Sequence, residues 1–194
     1  MTKRKLDWIN TSTIAICHVM ALVAIWWMAT NFSWATAGLG LLWFAFCGLG
    51  ITGGYHRLFS HPTYKAVWPL RLFYLLFGAA SVQNSALKWS IDHRVHHSRV
   101  DTDDDPYDIN KGFWWAHIGW IFFKSENEAI KTATAHDLVA DPLIRFQDKW
   151  YIPLAILMAL IVPAAIGSLW GDALGAALVC GFLRLVVQWH ATFS

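Results

Sequence analysis

The chain has 194 residues, 56% of them apolar and only 14% charged, against about 25% charged in ordinary soluble domains. That balance excludes a water-soluble globular domain, and a net charge of +2 makes no case for a nucleic-acid partner. The three cysteines, Cys17, Cys47 and Cys180, all lie in apolar stretches and read as small buried hydrophobes, not as a disulfide framework.

Residues 1 to 11 form a basic, polar start without a signal-peptide cleavage pattern. From Trp8 to His56 there is no Asp, Glu, Lys or Arg, and from Trp150 to Leu183 the only one is Asp172. Each block holds two spans of about 20 residues, placed at 13–30, 34–55, 150–169 and 173–194. Trp8, Trp34, Trp150 and Trp170 stand where spans begin or end, as an interfacial aromatic belt does. His18, within the first span, is expected to hydrogen-bond a neighbouring helix. The link at Asn31 to Ser33 is so short that the second span must return antiparallel to the first. Along it fall Gly38, Gly40, Gly48, Gly50, Gly53 and Gly54, where small residues allow close helix packing.

His56 and His61 follow that span. Five residues apart on a regular α-helix they point roughly 140° apart, so they converge only if the helix widens or ends between them. Pro62 favours an ending, because it pushes His61 away from helical dihedrals. The segment from Ala66 to Leu87 is apolar but interrupted by Pro69 and Arg71. Were it to cross the membrane, His56 and His61 would lie on one face and the next histidines on the other. It therefore reads as a helix lying in the interface or tucked beneath the spans.

Trp89-Ser-Ile-Asp-His-Arg-Val-His-His97 is the centre of the chain. His93, His96 and His97, at i, i+3 and i+4, fan their rings over one helical turn. The acidic loop Val100 to Tyr107 reads either as a solvated turn or as carboxylates that orient metal-bound imidazoles. The aromatic block Gly112 to Phe123 is too short to span and suits the interface, with His117 packed and hydrogen-bonded inside it. Residues 124 to 149 form a mixed-charge, helix-compatible cap in which His136 is a surface residue. Pro153 and Pro163 mark the start and a kink of the third span. Of the 15 Lys and Arg residues, all but Arg184 lie in the N-terminal tail or in residues 57 to 149. By the positive-inside rule that side, with both histidine boxes and the N-terminus, is cytoplasmic. Arg184, inside the fourth span, faces the protein interior or an anionic group.

Many imidazoles with few acidic ligands argue for a redox or Lewis-acid metal rather than a hard cation. Oxygen chemistry on a dinuclear iron centre leads, with zinc-dependent hydrolysis as the other metal-based option. No cysteine is near enough for a structural zinc site.

The runs Gly54-Tyr-His-Arg-Leu-Phe-Ser-His61, Trp89 to His97, Asp101-Thr-Asp-Asp-Asp-Pro106 and Gly112 to Trp120 together resemble the membrane fatty-acid desaturase family, most of all its acyl-CoA (stearoyl-CoA, delta-9) branch in bacterial form. The resemblance covers nearly the whole chain. It implies an all-α integral membrane protein, one domain over 1–194, with four transmembrane helices and a cytosolic helical cap (56–149) carrying the histidine boxes, in the bacterial inner membrane. It also implies a centre of two iron ions (Fe2+/Fe3+), O2 as oxidant, and two electrons from a small haem or iron-sulfur carrier. With these a cis double bond is placed in a saturated fatty acyl chain. By position, His56, His61, His93, His96 and His97 would be iron ligands, with no catalytic side chain beyond the metal site. Gln83 and Trp89 match positions lining a bent acyl tunnel, and Asn84 and Asp92 match positions near the thioester head group. Ile91 stands where animal acyl-CoA members carry arginine, which counts against CoA recognition and leaves an acyl-lipid or acyl-carrier substrate open beside acyl-CoA. The family continues into an Asn-x-x-x-His motif and a third H-x-x-H-H box, whereas the 194 residues end at Trp189-His-Ala-Thr-Phe-Ser194. About half the expected ligands are therefore absent, and weak or no metal binding and little catalysis are expected of these residues alone. The alternatives are a fatty-acid or alkane hydroxylase of the same membrane class, and an inactive membrane fragment that keeps its histidines as packed polar groups.

Overall fold

A computed structural model describes residues 5–100, 102, 105, 107–124 and 135–192. Among the described residues four helices are long and apolar enough to cross a membrane: α1 (Trp8–Thr30), α2 (Trp34–Ser60), α8 (Tyr151–Trp170) and α9 (Ala173–Thr192). Between them stand α3 (Trp68–Ala80), α4 (Ala86–Ser98), α5 (Phe113–His117), α6 (His136–Ala140) and α7 (Pro142–Lys149). Among the described residues the only β pairing is an isolated bridge between Leu6 and Phe123. The all-α, four-span architecture expected from the sequence is therefore present.

The boundaries differ for local reasons. α1 starts at Trp8 rather than at residue 13 because the Asp7 carboxylate caps it, accepting from the backbone N–H of Ile9 and Asn10 at 3.1 Å each. α2 runs on to Ser60 rather than 55 because its last 11 residues, Gly50–Ser60, widen into a π-helix. Shorter π stretches at Leu157–Ile161 and Leu178–Leu183 interrupt α8 and α9. The first of these lies just before Pro163, whose missing N–H and ring disturb the preceding turn.

α3, with 13 residues, is not among the four helices long enough to cross. Its tail is driven into the bundle, where Ala80 joins Leu39, Trp43, Cys47, Met158, Ala176 and Cys180 in one core cluster. Glycine makes that approach possible, since a Cβ at Gly50 would lie 2.6 Å from the backbone nitrogen of Gly78. The chain then reverses through Ser81 to Ser85 and returns as α4, so both histidine boxes stand at one end of the bundle. A second core, with Tyr55, Leu58, Phe59, Leu75, Ile91, Leu138 and Ile144, packs α2, α3, α4, α6 and α7 beneath that end.

At the opposite end the spans are tied by Asp172. Its carboxylate accepts from Trp27 Nε1 of α1 (3.2 Å), Thr36 Oγ1 of α2 (2.5 Å) and the Gly175 N–H of α9 (3.0 Å). Arg184 turns inward, as expected, and donates to Cys180 O (2.7 Å), Gln188 Oε1 (3.1 Å) and Ala80 O (3.0 Å). Its partners are carbonyl and amide oxygens rather than an anion.

Candidate metal centre

The two boxes meet because α2 widens. In the π stretch each N–H reaches five residues back, and the His61 N–H donates to His56 O at 3.1 Å. Residues five apart thus sit one turn apart on the same side, and the His56 and His61 rings lie 4.7 Å apart, centre to centre. His61 itself, before Pro62, leaves helical dihedrals at φ −104°, ψ 6°. From α4, His93 faces both: its ring is 4.6 Å from His56 and 5.1 Å from His61. Nε2 of His93 is 3.1 Å from Nε2 of His61 and 3.0 Å from Nε2 of His97. One ring nitrogen from each of His56, His61, His93 and His97 lies within 4.8 Å of the others.

Buried polar contacts hold α2 and α4 in this register. The Tyr55 carbonyl accepts from the hydroxyls of Ser60 (2.7 Å) and Ser90 (3.4 Å). Gln147 of α7 donates from Nε2 to Tyr55 Oη (2.6 Å) and accepts at Oε1 from the Ala86 N–H (3.0 Å), so one amide bridges both helices.

His96 stands outside the four. Its Nδ1 meets both oxygens of the buried Asp105 carboxylate at 2.9 and 3.0 Å, and Tyr107 packs on its ring at 4.2 Å. Of the acidic loop, Asp101, Asp103 and Asp104 lie outside the described residues. Burial, reinforced by the charges of His56, His97, His61 and His96, brings the pKa of His93 from 6.5 down to about 3. Burial and the charges of His61 and His96 lower that of His97. Burial, Asp105 and Asp92 push the Tyr107 phenol up. His93 and His97 are thus favoured in the neutral form, with lone pairs available to a cation.

Beside the cluster, the Trp89 indole stacks on His93 at 4.8 Å and donates from Nε1 to Gln83 Oε1 at 3.3 Å. Gln83 in turn donates from Nε2 to Thr192 Oγ1 at 2.9 Å. Gln83, Trp89 and the centre are therefore contiguous. Asn84 is exposed, held at φ 79° by a turn in which Val82 also has positive φ (51°), and its backbone N–H donates to Tyr151 Oη (3.0 Å). Asp92 is half-buried on the Tyr107 side. Ile91 points into the core beneath the boxes. Sequence reasoning did not single out Thr192, Tyr107, Tyr55 or Gln147. No local pattern marks them, because each acts across at least 14 positions of chain.

A separate chain of imidazoles joins α1, α5 and α9. His18 Nδ1 donates to Ile14 O (2.8 Å), His18 Nε2 meets His190 Nε2 (3.1 Å), and His190 Nδ1 meets His117 Nε2 (2.9 Å). His18 and His117 are thus hydrogen-bonded between helices as their settings imply, and His136 is on the surface.

The model of the fatty acid desaturase family matches residues 32–194. The chain is 40% identical over 191 residues to a probable acyl-CoA desaturase of Schizosaccharomyces pombe, covering 98% of this chain and 40% of that protein. It is 36% identical over 196 residues to the Delta(9)-fatty-acid desaturase fat-7 of Caenorhabditis elegans, covering 98% of this chain and 58% of the relative. Identity to an sn-1 stearoyl-lipid 9-desaturase of Anabaena variabilis is also 36% over 196 residues, with 99% and 68% covered. The chain therefore spans about half the length of the curated relatives it matches.

Proposed function

The chain belongs to the fatty acid desaturase family, and on that premise we propose that it serves oxygen-dependent desaturation of a fatty acyl chain, with His56, His61, His93 and His97 holding one iron ion and His96 directed to a second. The observation that carries the reading is the spacing of the Nε2 atoms of His61, His93 and His97, 3.0 and 3.1 Å. Two nitrogens bound at right angles to one ion through bonds of about 2.1 Å are themselves about 3.0 Å apart. A set of neutral imidazoles also fits a transition metal and not a hard cation. His96 has the orientation of a ligand whose other ring nitrogen is held by a carboxylate, here Asp105.

When bound, the iron would supply the reduction of O2, with two electrons and two protons, that removes two hydrogens from adjacent saturated carbons and leaves a cis alkene and two waters. The chain's own side chains prepare the site. Burial disfavours the protonated forms of His93 and His97. The Trp89 indole shields one face of His93 from water, and the Trp89–Gln83–Thr192 chain forms the wall along which an acyl chain would bend towards the metals. The family resemblance is what supports a head-group contact for Asp92 and Asn84. The concentration of Lys and Arg in 57–149 supports a cytoplasmic cap; the family resemblance supports a single domain, a small haem or iron-sulfur donor and the bacterial inner membrane. A relative named for acyl-CoA matches at 40% identity and one named for an acyl-lipid at 36%, and a delta-9 position follows the names of two relatives.

The test is iron per polypeptide in protein purified in mild detergent, followed by product analysis with a stearoyl-CoA or stearoyl-lipid substrate. At least one iron per chain, lost in His93→Ala, is the expected result. Near-zero iron would overturn the metal assignment, and a hydroxylated product without alkene would overturn desaturation.

A further inference from the structure

One cation beside the centre is unexplained by metal binding. Arg94 lies between His93 and His96 on α4, yet its guanidinium reaches across to the end of the other histidine-bearing helix. Nε donates to Ser60 O (3.1 Å) and Nη2 to Phe59 O (2.8 Å). These are the last two carbonyls before His61 in the chain, at the helix end where carbonyls lack intrahelical partners and the dipole is negative. The other edge of the guanidinium grips the Asp137 carboxylate of α6, Nη1 to Oδ1 and Nη2 to Oδ2, both at 2.8 Å. The side chain of Arg94 is 19% exposed. His61 needs such support, since it sits beyond the last helical residue and in a non-helical conformation.

We propose that Arg94 and Asp137 form a positioning clamp for the metal centre: Arg94 joins the two boxes and sets His61 against His93, and Asp137 fixes the direction of the guanidinium. The inference rests on the reading of the histidine cluster as a metal site. Neither residue touches the metal. The geometry requires arginine, because only a planar fork serves two adjacent carbonyls and a bidentate carboxylate together, and a lysine ammonium has no such shape. Arg94 draws the pKa of Asp137 below its ordinary value by hydrogen bonding, which agrees with a persistent pair. Asp137 enters from a helix anchored in the core by Leu138, so the position of α6 is transmitted to the spacing of the two boxes.

The experiment compares Arg94→Gln, Arg94→Lys and Asp137→Asn with the wild-type chain and with Asp172→Asn, a destabilising control at the far end of the bundle. Two quantities are read: hydrogen exchange of the 56–64 segment in metal-free protein, and affinity for Co2+ alone from its absorption spectrum. Losing a charged hydrogen-bonding partner should speed exchange of that segment about tenfold or more in Arg94→Gln. The Co2+ affinity should fall about 10- to 100-fold, as when partners that orient ligands are removed. Arg94→Lys should lie between, and Asp172→Asn should leave both readouts at wild-type values. Faster exchange with unchanged Co2+ affinity would reduce the pair to a structural stitch and overturn the proposal, as would unchanged exchange. If the wild type binds no Co2+, the metal-site reading fails instead, and exchange alone decides whether the clamp holds His61. Should Arg94→Gln fail to fold, Asp137→Asn, which keeps shape and one acceptor oxygen, gives the same comparison with a smaller loss.

Discussion

Protonation state is the property that individual residues decide here. In the metal-free protein, burial lowers the pKa of His93 from 6.5 to about 3, so below pH 6.5 the unfolded chain takes up a proton that the folded chain refuses. Stability is greatest above the unfolded value and falls as pH drops from about 6.5 towards 3. Thermal melts in chelator across that range should show this fall, and His93→Phe should flatten it. The second imidazole chain has a direction that one atom determines. Ile14 O can only accept, so His18 must carry its proton on Nδ1. With all three rings neutral, His190 then donates from Nε2 to His18 and His117 donates from Nε2 to His190. Nitrogen-15 spectra should find the Nδ1–H tautomer at His18 and the Nε2–H tautomer at His117 and His190, and the opposite pattern would break the assignment.

Individual helices succeed or fail at close approach. α2 carries glycines with opposite predicted consequences. A Cβ at Gly50 would strike the backbone of α3 at Gly78, whereas one at Gly48 meets nothing within 4 Å. Gly50→Ala should therefore destabilise by about 1–3 kcal/mol through overpacking, even though alanine is the better helix former. Gly48→Ala should be neutral or stabilise by up to about 1 kcal/mol. Melting temperatures in one detergent would compare the two, and equal effects would show that α3 does not press on α2 as described. The end of α2 answers the question its histidine spacing raised. The i+5 spacing of His56 and His61 demanded either widening or an ending, and the fold supplies both, a π stretch that aligns the rings and a break at His61 before Pro62.

For the molecule as a whole, the proposed orientation is open to direct measurement. Cys17, Cys47 and Cys180 are all buried, so a variant lacking them can carry single reporter cysteines. In right-side-out vesicles an impermeant thiol reagent should label Asn31→Cys, in the short connection, and spare His136→Cys, on the exposed surface near the histidine end. Inside-out vesicles should reverse the result, and the opposite pattern would refute cytoplasmic placement of the boxes. Asp172 is the corresponding test of bundle integrity. Asp172→Ala leaves the Trp27 and Thr36 donors without their acceptor and should cost about 1–3 kcal/mol, seen as a lower melting temperature with metal affinity unchanged.

The number of spans, their approximate ends and the gathering of both boxes at one end were legible in the sequence. Apolar length, interfacial tryptophans and histidine spacing are local patterns, and a membrane leaves few ways to satisfy them. Residue types suited to a transition metal were equally plain. Only the tertiary structure decided which nitrogens converge, that His96 turns to Asp105, that Gln83 finds Thr192 109 positions away, and that Arg94 reaches back to Phe59 and Ser60. Those choices depend on the register and depth at which packed helices meet. Register is set jointly by many side chains and close glycine contacts, so no single stretch of sequence contains it.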